Sequence, residues 1–259
     1  MRRRHLLALS AAAPLALGRP ATPRAAVPPR RPIVLVHGAW HGGWCWREVA
    51  AALRAAGHAV FAPTLTGMGE RAHLAVPEVS LATHAEDVAG LIRCEELQDV
   101  LLVGHSYAGY VVSLAADRIK PALAGLVYLD ALLPEAGQAF LDEATATQLR
   151  ATAARGFLLP PPGLDFFGVP ETHPNAAWVK RRLTPHPLGT LTEPVRYAAG
   201  GPAGVAKVFV RCTQGAEQPD KERAMIAGDP EWRFVTLDAG HDAMITAPEA
   251  TARLLAALA

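Results

Sequence analysis

Short β-branched runs alternate with longer segments in which apolar residues recur at three- and four-residue spacing, and this rhythm organises most of the chain. Residues 33–37 read as a strand, and the Ala- and Leu-rich residues 44–56 as a helix closed by Gly57. Residues 58–62 give a second strand ended by Pro63. The next helix covers 80–93, with Ser80 as cap and a stripe through Ala85, Val88, Ala89 and Ile92. A strand over 99–104 runs directly into a helix over 106–117. Further strands fall at 123–129, 205–211 and 232–237, before a terminal helix over 248–258. Strands that alternate with helices predict an α/β fold, a mostly parallel central sheet flanked by helices on both faces.

Between residues 134 and 204 the rhythm breaks. A helix is expected around 136–155, then the break Leu158-Leu-Pro-Pro-Pro-Gly163, the aromatic patch Asp165-Phe-Phe-Gly168 and a short helix over 175–182. We expect a small helical cap inserted over the carboxyl ends of the strands, where open α/β sheets place ligands. The organisation is then a leader over 1–26, a first core part over 27–133, the cap over 134–204 and a second core part over 205–259.

Charge changes the picture at the N-terminus. The 259 residues carry 25 Lys and Arg against 24 Asp and Glu. Arg2, Arg3, Arg4, Arg19 and Arg24 all precede the first acidic residue, Glu48, so the remaining body is acidic and offers no field for nucleic acid. A charged opening followed by the apolar stretch 6–17 has the layout of an export signal, its paired arginines resembling the twin-arginine kind. This places the protein in the periplasm or outside the cell; an Ala-rich leader on a cytoplasmic protein is the alternative. The stretch is too short to span a bilayer, so no stable membrane insertion is expected. Cys45, Cys94 and Cys212 are too scattered for a disulfide scaffold or thiolate metal site, and buried free thiols are preferred over a Cys45–Cys94 bond. Oligomeric state is not legible.

Leu102-Val-Gly104-His-Ser106-Tyr-Ala108-Gly109 stands between a strand and a helix. A serine flanked by small residues at such a turn presents its hydroxyl at a helix N-terminus, as a nucleophile elbow does, although Ala108 stands where glycine is usual. A serine hydroxyl needs a base, and His241, in the loop after the last strand, is the candidate. The glycine-rich loop His37-Gly-Ala-Trp-His-Gly-Gly-Trp44 lacks the dinucleotide-binding spacing. Instead, the backbone N–H groups of Ala39 and Tyr107 are expected to form an oxyanion hole. His37 is expected to brace this loop.

These phrases resemble the α/β-hydrolases of the plant methylesterase and hydroxynitrile lyase group, and more closely their bacterial esterase relatives. The similarity runs through Val36-His-Gly-Ala-Trp-His-Gly-Gly-Trp44, Ala56-Gly-His58, Val103-Gly-His-Ser106, Arg182-Leu-Thr-Pro-His-Pro-Leu188, Thr192-Glu-Pro194 and Gly240-His-Asp-Ala-Met-Ile-Thr-Ala-Pro248. It implies an α/β-hydrolase fold and hydrolase chemistry. The plant members take their triad acid from a Cys-Thr-Glu-Asp phrase, whereas this chain has Cys212-Thr-Gln-Gly215. Glycine cannot orient an imidazole. Asp130, which closes the strand after the nucleophile unit, is the preferred acid because a carboxylate there needs a donor such as His241 Nδ1–H. Glu217 and Asp220 are the alternatives.

The expected function is a serine carboxylesterase that hydrolyses small to medium apolar esters with water, without metal or organic cofactor. Trp40, Phe166, Phe167 and Trp178 are the pocket candidates. Two rivals are kept. A noncatalytic small-molecule-binding protein on the same fold is motivated by Gly215. A hydroxynitrile lyase is disfavoured because Gly38 and Asp242 replace the threonine and lysine that the plant lyases use.

Overall fold

The computed structural model describes residues 30–214 and 221–259. Its main sheet is built from β1 (Ile33–Val36), β2 (Val60–Phe61), β3 (Val100–His105), β4 (Leu123–Leu129), β7 (Lys207–Cys212) and β8 (Trp232–Leu237), all parallel in the order β2-β1-β3-β4-β7-β8. A two-stranded antiparallel pair, β5 (Leu158–Leu159) and β6 (His186–Pro187), lies outside it.

Both faces of the central strands are apolar, as a covered parallel sheet requires. Along β1 and β3, Val34, Val36 and Leu102 pack on one face with α2 (Leu81–Cys94) and α3 (Ala108–Ile119). Ile33, Leu35, Leu101 and Val103 pack on the other with α1 (Arg47–Ala55) and the terminal α9 (Pro248–Leu258). Parallel register brings the carboxyl ends of β1, β3, β4, β7 and β8 to one edge, with His105 opposite Leu129 and Cys212 opposite Leu237.

Ser80 caps α2 by accepting from the Thr83 amide. The expected helix over 44–56 is split into a 3-10 turn, Gly43–Trp46, and α1. The helix after β3 starts at Ala108 rather than Ser106, because Ser106 has a left-handed φ of 54°.

Between β4 and β7 come α4 (Glu143–Thr152), α5 (Ala176–Lys180) and α6 (Gly189–Thr192). The helix expected over 136–155 is the shorter α4. Gly137 takes a φ of 85° and its amide reaches Val195, while the Leu141 amide donates to Leu191. Asp142 then caps Thr145 at 2.8 Å. The helix ends before Arg155 and Gly156, both at positive φ. The chain closes with α7 (Lys221–Ile226), α8 (Ala243–Thr246) and α9. Cys45, Cys94 and Cys212 are free thiols. Among the described residues no helix is long and apolar enough to cross a membrane. The expected leader over 1–26 lies outside the described residues, as do Gly215, Glu217 and Asp220.

Candidate active site

Ser106 follows β3 in a left-handed conformation sparsely used by residues with a side chain. Its amide donates to Leu129, and its carbonyl accepts from Gly109 and Leu132. The turn is this tight because glycines stand at two positions. A Cβ on Gly104 would come within 2.8 Å of the Ala108 carbonyl, and one on Gly109 within 2.0 Å of the Leu132 carbonyl. Ala108 is accommodated, fully buried, so the need for glycine falls one residue later than the usual pattern.

His241 meets Ser106 and Asp130 on its two ring nitrogens. Nε2 lies 3.0 Å from Ser106 Oγ, and Nδ1–H donates to Asp130 Oδ2 at 2.6 Å. Asp130 also has a positive φ, 43°, and its amide donates to Val210. Its Oδ1 accepts from the Cys212 amide at 3.1 Å, with the Arg211 guanidinium 4.0 Å away. Burial pushes the Asp130 carboxyl up, but the His241 hydrogen bond and charge and the Cys212 amide outweigh it. The group is held below the usual carboxylate range.

The loop bearing His241 is fixed by close backbone packing: a Cβ on Gly240 would lie 2.6 Å from the Gly168 carbonyl. His105 Nε2–H donates to the His241 carbonyl at 2.9 Å. Gly38 crosses directly over the serine, since a Cβ there would meet Ser106 Cβ at 3.0 Å. The two residues expected to supply the oxyanion hole flank this contact: Ala39 follows Gly38, and Tyr107 follows Ser106 at the start of α3. His37 braces this loop, donating from Nδ1 to Gly38 and accepting the Leu65 amide on Nε2.

Three of the four pocket candidates come together. Trp40 packs edge-on against Phe166 at 5.7 Å and Phe167 at 6.0 Å, and its indole N–H donates to Leu159. Phe167 is buried, whereas Phe166 is 57% exposed. Trp178 stands apart. Its ring packs on Trp44 and lies beneath the Arg47 and Arg182 guanidiniums. It lines a separate open cleft of about 420 Å³ that includes none of Ser106, His241 or Asp130. The structure thus does not bring Trp178 together with the other three candidates: arginine stacking holds its ring on the α1 side.

Sequence reasoning missed a second His–Asp pair. Asp242, fully buried, places Oδ2 3.0 Å from Nε2 of the buried His41. The only local signal was a carboxylate directly after His241; its partner is 201 residues away. Among the described residues no group of three or more His, Cys, Asp or Glu is arranged to hold a metal ion.

A model of the alpha/beta hydrolase family matches residues 33–254. A carbendazim hydrolyzing esterase of Nocardioides sp. is 44% identical over 239 residues, 87% of this chain and 98% of that protein. Methylesterase 7 of Arabidopsis thaliana is 27% identical, with 89% of this chain and 96% of that one covered. Among solved structures, an extracellular alpha/beta-hydrolase from a Paenibacillus species superposes with a TM-score of 0.74 at 24% identity, covering 87% of this chain and 97% of that one.

Proposed function

Since the chain belongs to the alpha/beta hydrolase family, we propose that it is a serine carboxylesterase acting on small to medium apolar esters through an acyl-enzyme. The observation that carries this reading is the unbroken file Ser106 Oγ, His241, Asp130, with separations of 3.0 and 2.6 Å.

In this reading Ser106 Oγ attacks the ester carbonyl while His241 Nε2 takes its proton. Asp130 holds the ring in the Nδ1–H tautomer and supports the imidazolium that forms. The carbonyl oxygen, now an anion, is held by the Ala39 and Tyr107 amides at the positive end of α3. His241 returns the proton to the departing alkoxide. Water then enters, gives a proton to the same nitrogen and releases the acid, restoring Ser106. No step calls for a metal or organic cofactor.

Residues 134–204 act as the cap, and Trp40, Phe166 and Phe167 give the cleft an apolar wall suited to an aryl or alkyl group. The lyase reading loses ground because the position that would carry a cation holds Asp242, already committed to His41. Residues 1–26 remain our proposed export signal, tested by N-terminal sequencing of protein recovered from culture fractions. A panel of alkyl, aryl, methyl and lactone esters, with carbendazim included because one relative is named for it, defines the substrate. Ser106→Ala removes turnover and the acylation burst; unchanged turnover in pure S106A protein contradicts the assignment. Tight ligand binding without a burst on any activated ester favours the noncatalytic reading.

A further inference from the structure

The ring nitrogens of His41 fix what its proton can do. Nδ1 faces the Ala39 carbonyl at 2.8 Å, which only accepts, so this nitrogen carries hydrogen. Nε2 faces Asp242 Oδ2 at 3.0 Å. Burial pulls the His41 proton affinity down, but the Asp242 charge and hydrogen bond outweigh it and leave it raised. Both ring nitrogens thus face oxygen acceptors, and the Asp242 carboxyl is held below its usual range by His41, the arrangement of an ion pair whose side chains are 1% and 0% exposed. Removing two charges from water this completely is costly, and such a pair is weak evidence for stability.

Its placement is specific. Asp242 is bonded in the chain to His241, and its amide donates to Phe167 at 2.9 Å. His41 sits two residues from Ala39, stacks on Trp44 and meets Phe167 edge-on. The intervening Trp40 is held at a φ of 63°, with its amide donating to His186 Nδ1. The hydrogen bond from His41 thus fixes the carbonyl of the residue whose amide would hold the anion, and refers that residue to the loop carrying the base.

We propose that His41 and Asp242 are positioning residues, a buried clamp that registers the Ala39 amide against His241 so that the oxyanion formed at Ser106 is met by a fixed donor. This rests on the serine-esterase reading above and extends it to two residues that touch no reacting atom.

The test uses the full chain and two probes, an arylalkyl trifluoromethyl ketone and the matching methyl ketone. Ser106 Oγ adds to the fluorinated carbonyl, forming a C–O bond; the carbonyl π pair becomes the oxyanion and the serine proton passes to His241. The methyl ketone binds without forming that anion. The double variant His41→Leu/Asp242→Asn removes both charges together, leaving no unpaired buried ion. Its expected losses in kcat and in trifluoromethyl ketone affinity are both about 10²–10³-fold, the size seen when one oxyanion donor is lost. Because uniform binding is untouched, KM and methyl ketone affinity should shift by less than about threefold. A merely structural role would weaken both ketones alike, and an unchanged affinity ratio in the folded variant overturns the clamp alone. A wild-type protein that does not distinguish the ketones overturns the nucleophile reading, and the clamp with it. If the double variant does not fold, Asp242→Asn, whose amide can donate to a neutral His41, is compared with Asp242→Leu. The Asn variant should lose no more than about tenfold in the ratio and the Leu variant more; equal losses overturn the proposal.

Discussion

The loop after β4 and the loop after β8 each present a histidine with a carboxylate, His241 with Asp130 and His41 with Asp242, and the two pairs are built into different circuits. Asp130 faces a ring whose other nitrogen meets a hydroxyl, so a proton taken from Ser106 can be held and returned. Asp242 faces a ring whose other nitrogen meets a carbonyl, which has no proton to give. One His–Asp pair can cycle a proton and the other can only hold one. The role of a buried carboxylate is thus set by what lies beyond its partner rather than by the ion pair itself.

The largest effect comes from breaking the cycling pair. His241→Ala should lower kcat by roughly 10⁵–10⁶-fold. Its denaturant midpoint, read by urea unfolding beside the kinetics, should also fall, because Asp130 loses the His241 donor and keeps only the Cys212 amide and the more distant Arg211.

Acid sharpens the contrast between histidines that hold a proton and those that exclude one. Burial lowers His37 and His105 to about 3 and His84 to about 4, and takes His186 well below its ordinary value. The unfolded chain therefore binds more protons below the ordinary histidine value near 6.5, and stability is lost as pH falls from there. Each such histidine contributes a slope of about 1.4 kcal/mol per pH unit. For His41 the sign reverses: its raised value gives stability that is complete below about 6.5 and lost as pH rises through the folded value. Urea midpoints should fall steeply on the acid side, and the alkaline fall should diminish in H41L/D242N.

Gly109→Ala tests the Asp130 side through packing. Its Cβ would lie 2.0 Å from the Leu132 carbonyl, so the turn that carries Asp130 must shift. A loss of about 1–3 kcal/mol is expected from overpacking, with a fall in kcat, measured by unfolding and ester assays. The smallest effect belongs to Trp178→Ala, which should leave kcat/KM near wild type while Trp40→Ala raises KM; the reverse order would return Trp178 to the substrate pocket.

Legibility in the sequence followed the range of the forces involved. β8 and α9 match the expected spans because β-branched content and a proline at the helix start act locally. Ser106, His241 and Asp130 could be named as candidates because small residues, strand ends and a missing family acid leave marks in a few neighbouring positions. The segment 134–204 was harder, since bonds such as Gly137 to Val195 and Leu141 to Leu191 override helix propensity from a distance. That Trp178 packs with Trp44 and Arg47 rather than with Trp40, Phe166 and Phe167 was not legible, because composition does not tell which side of a fold an aromatic faces. The His41–Asp242 pair was invisible for the same reason, its members being joined only by the fold.

Which carboxylate serves His241 is measured most directly by kcat/KM for Asp130→Asn, Glu217→Gln and Asp220→Asn on one activated ester. The expected result is a fall of roughly 10²–10⁴-fold in Asp130→Asn alone, from loss of charge support and of the Nδ1–H tautomer. Near-normal turnover in Asp130→Asn, with activity destroyed in Glu217→Gln or Asp220→Asn, would contradict it.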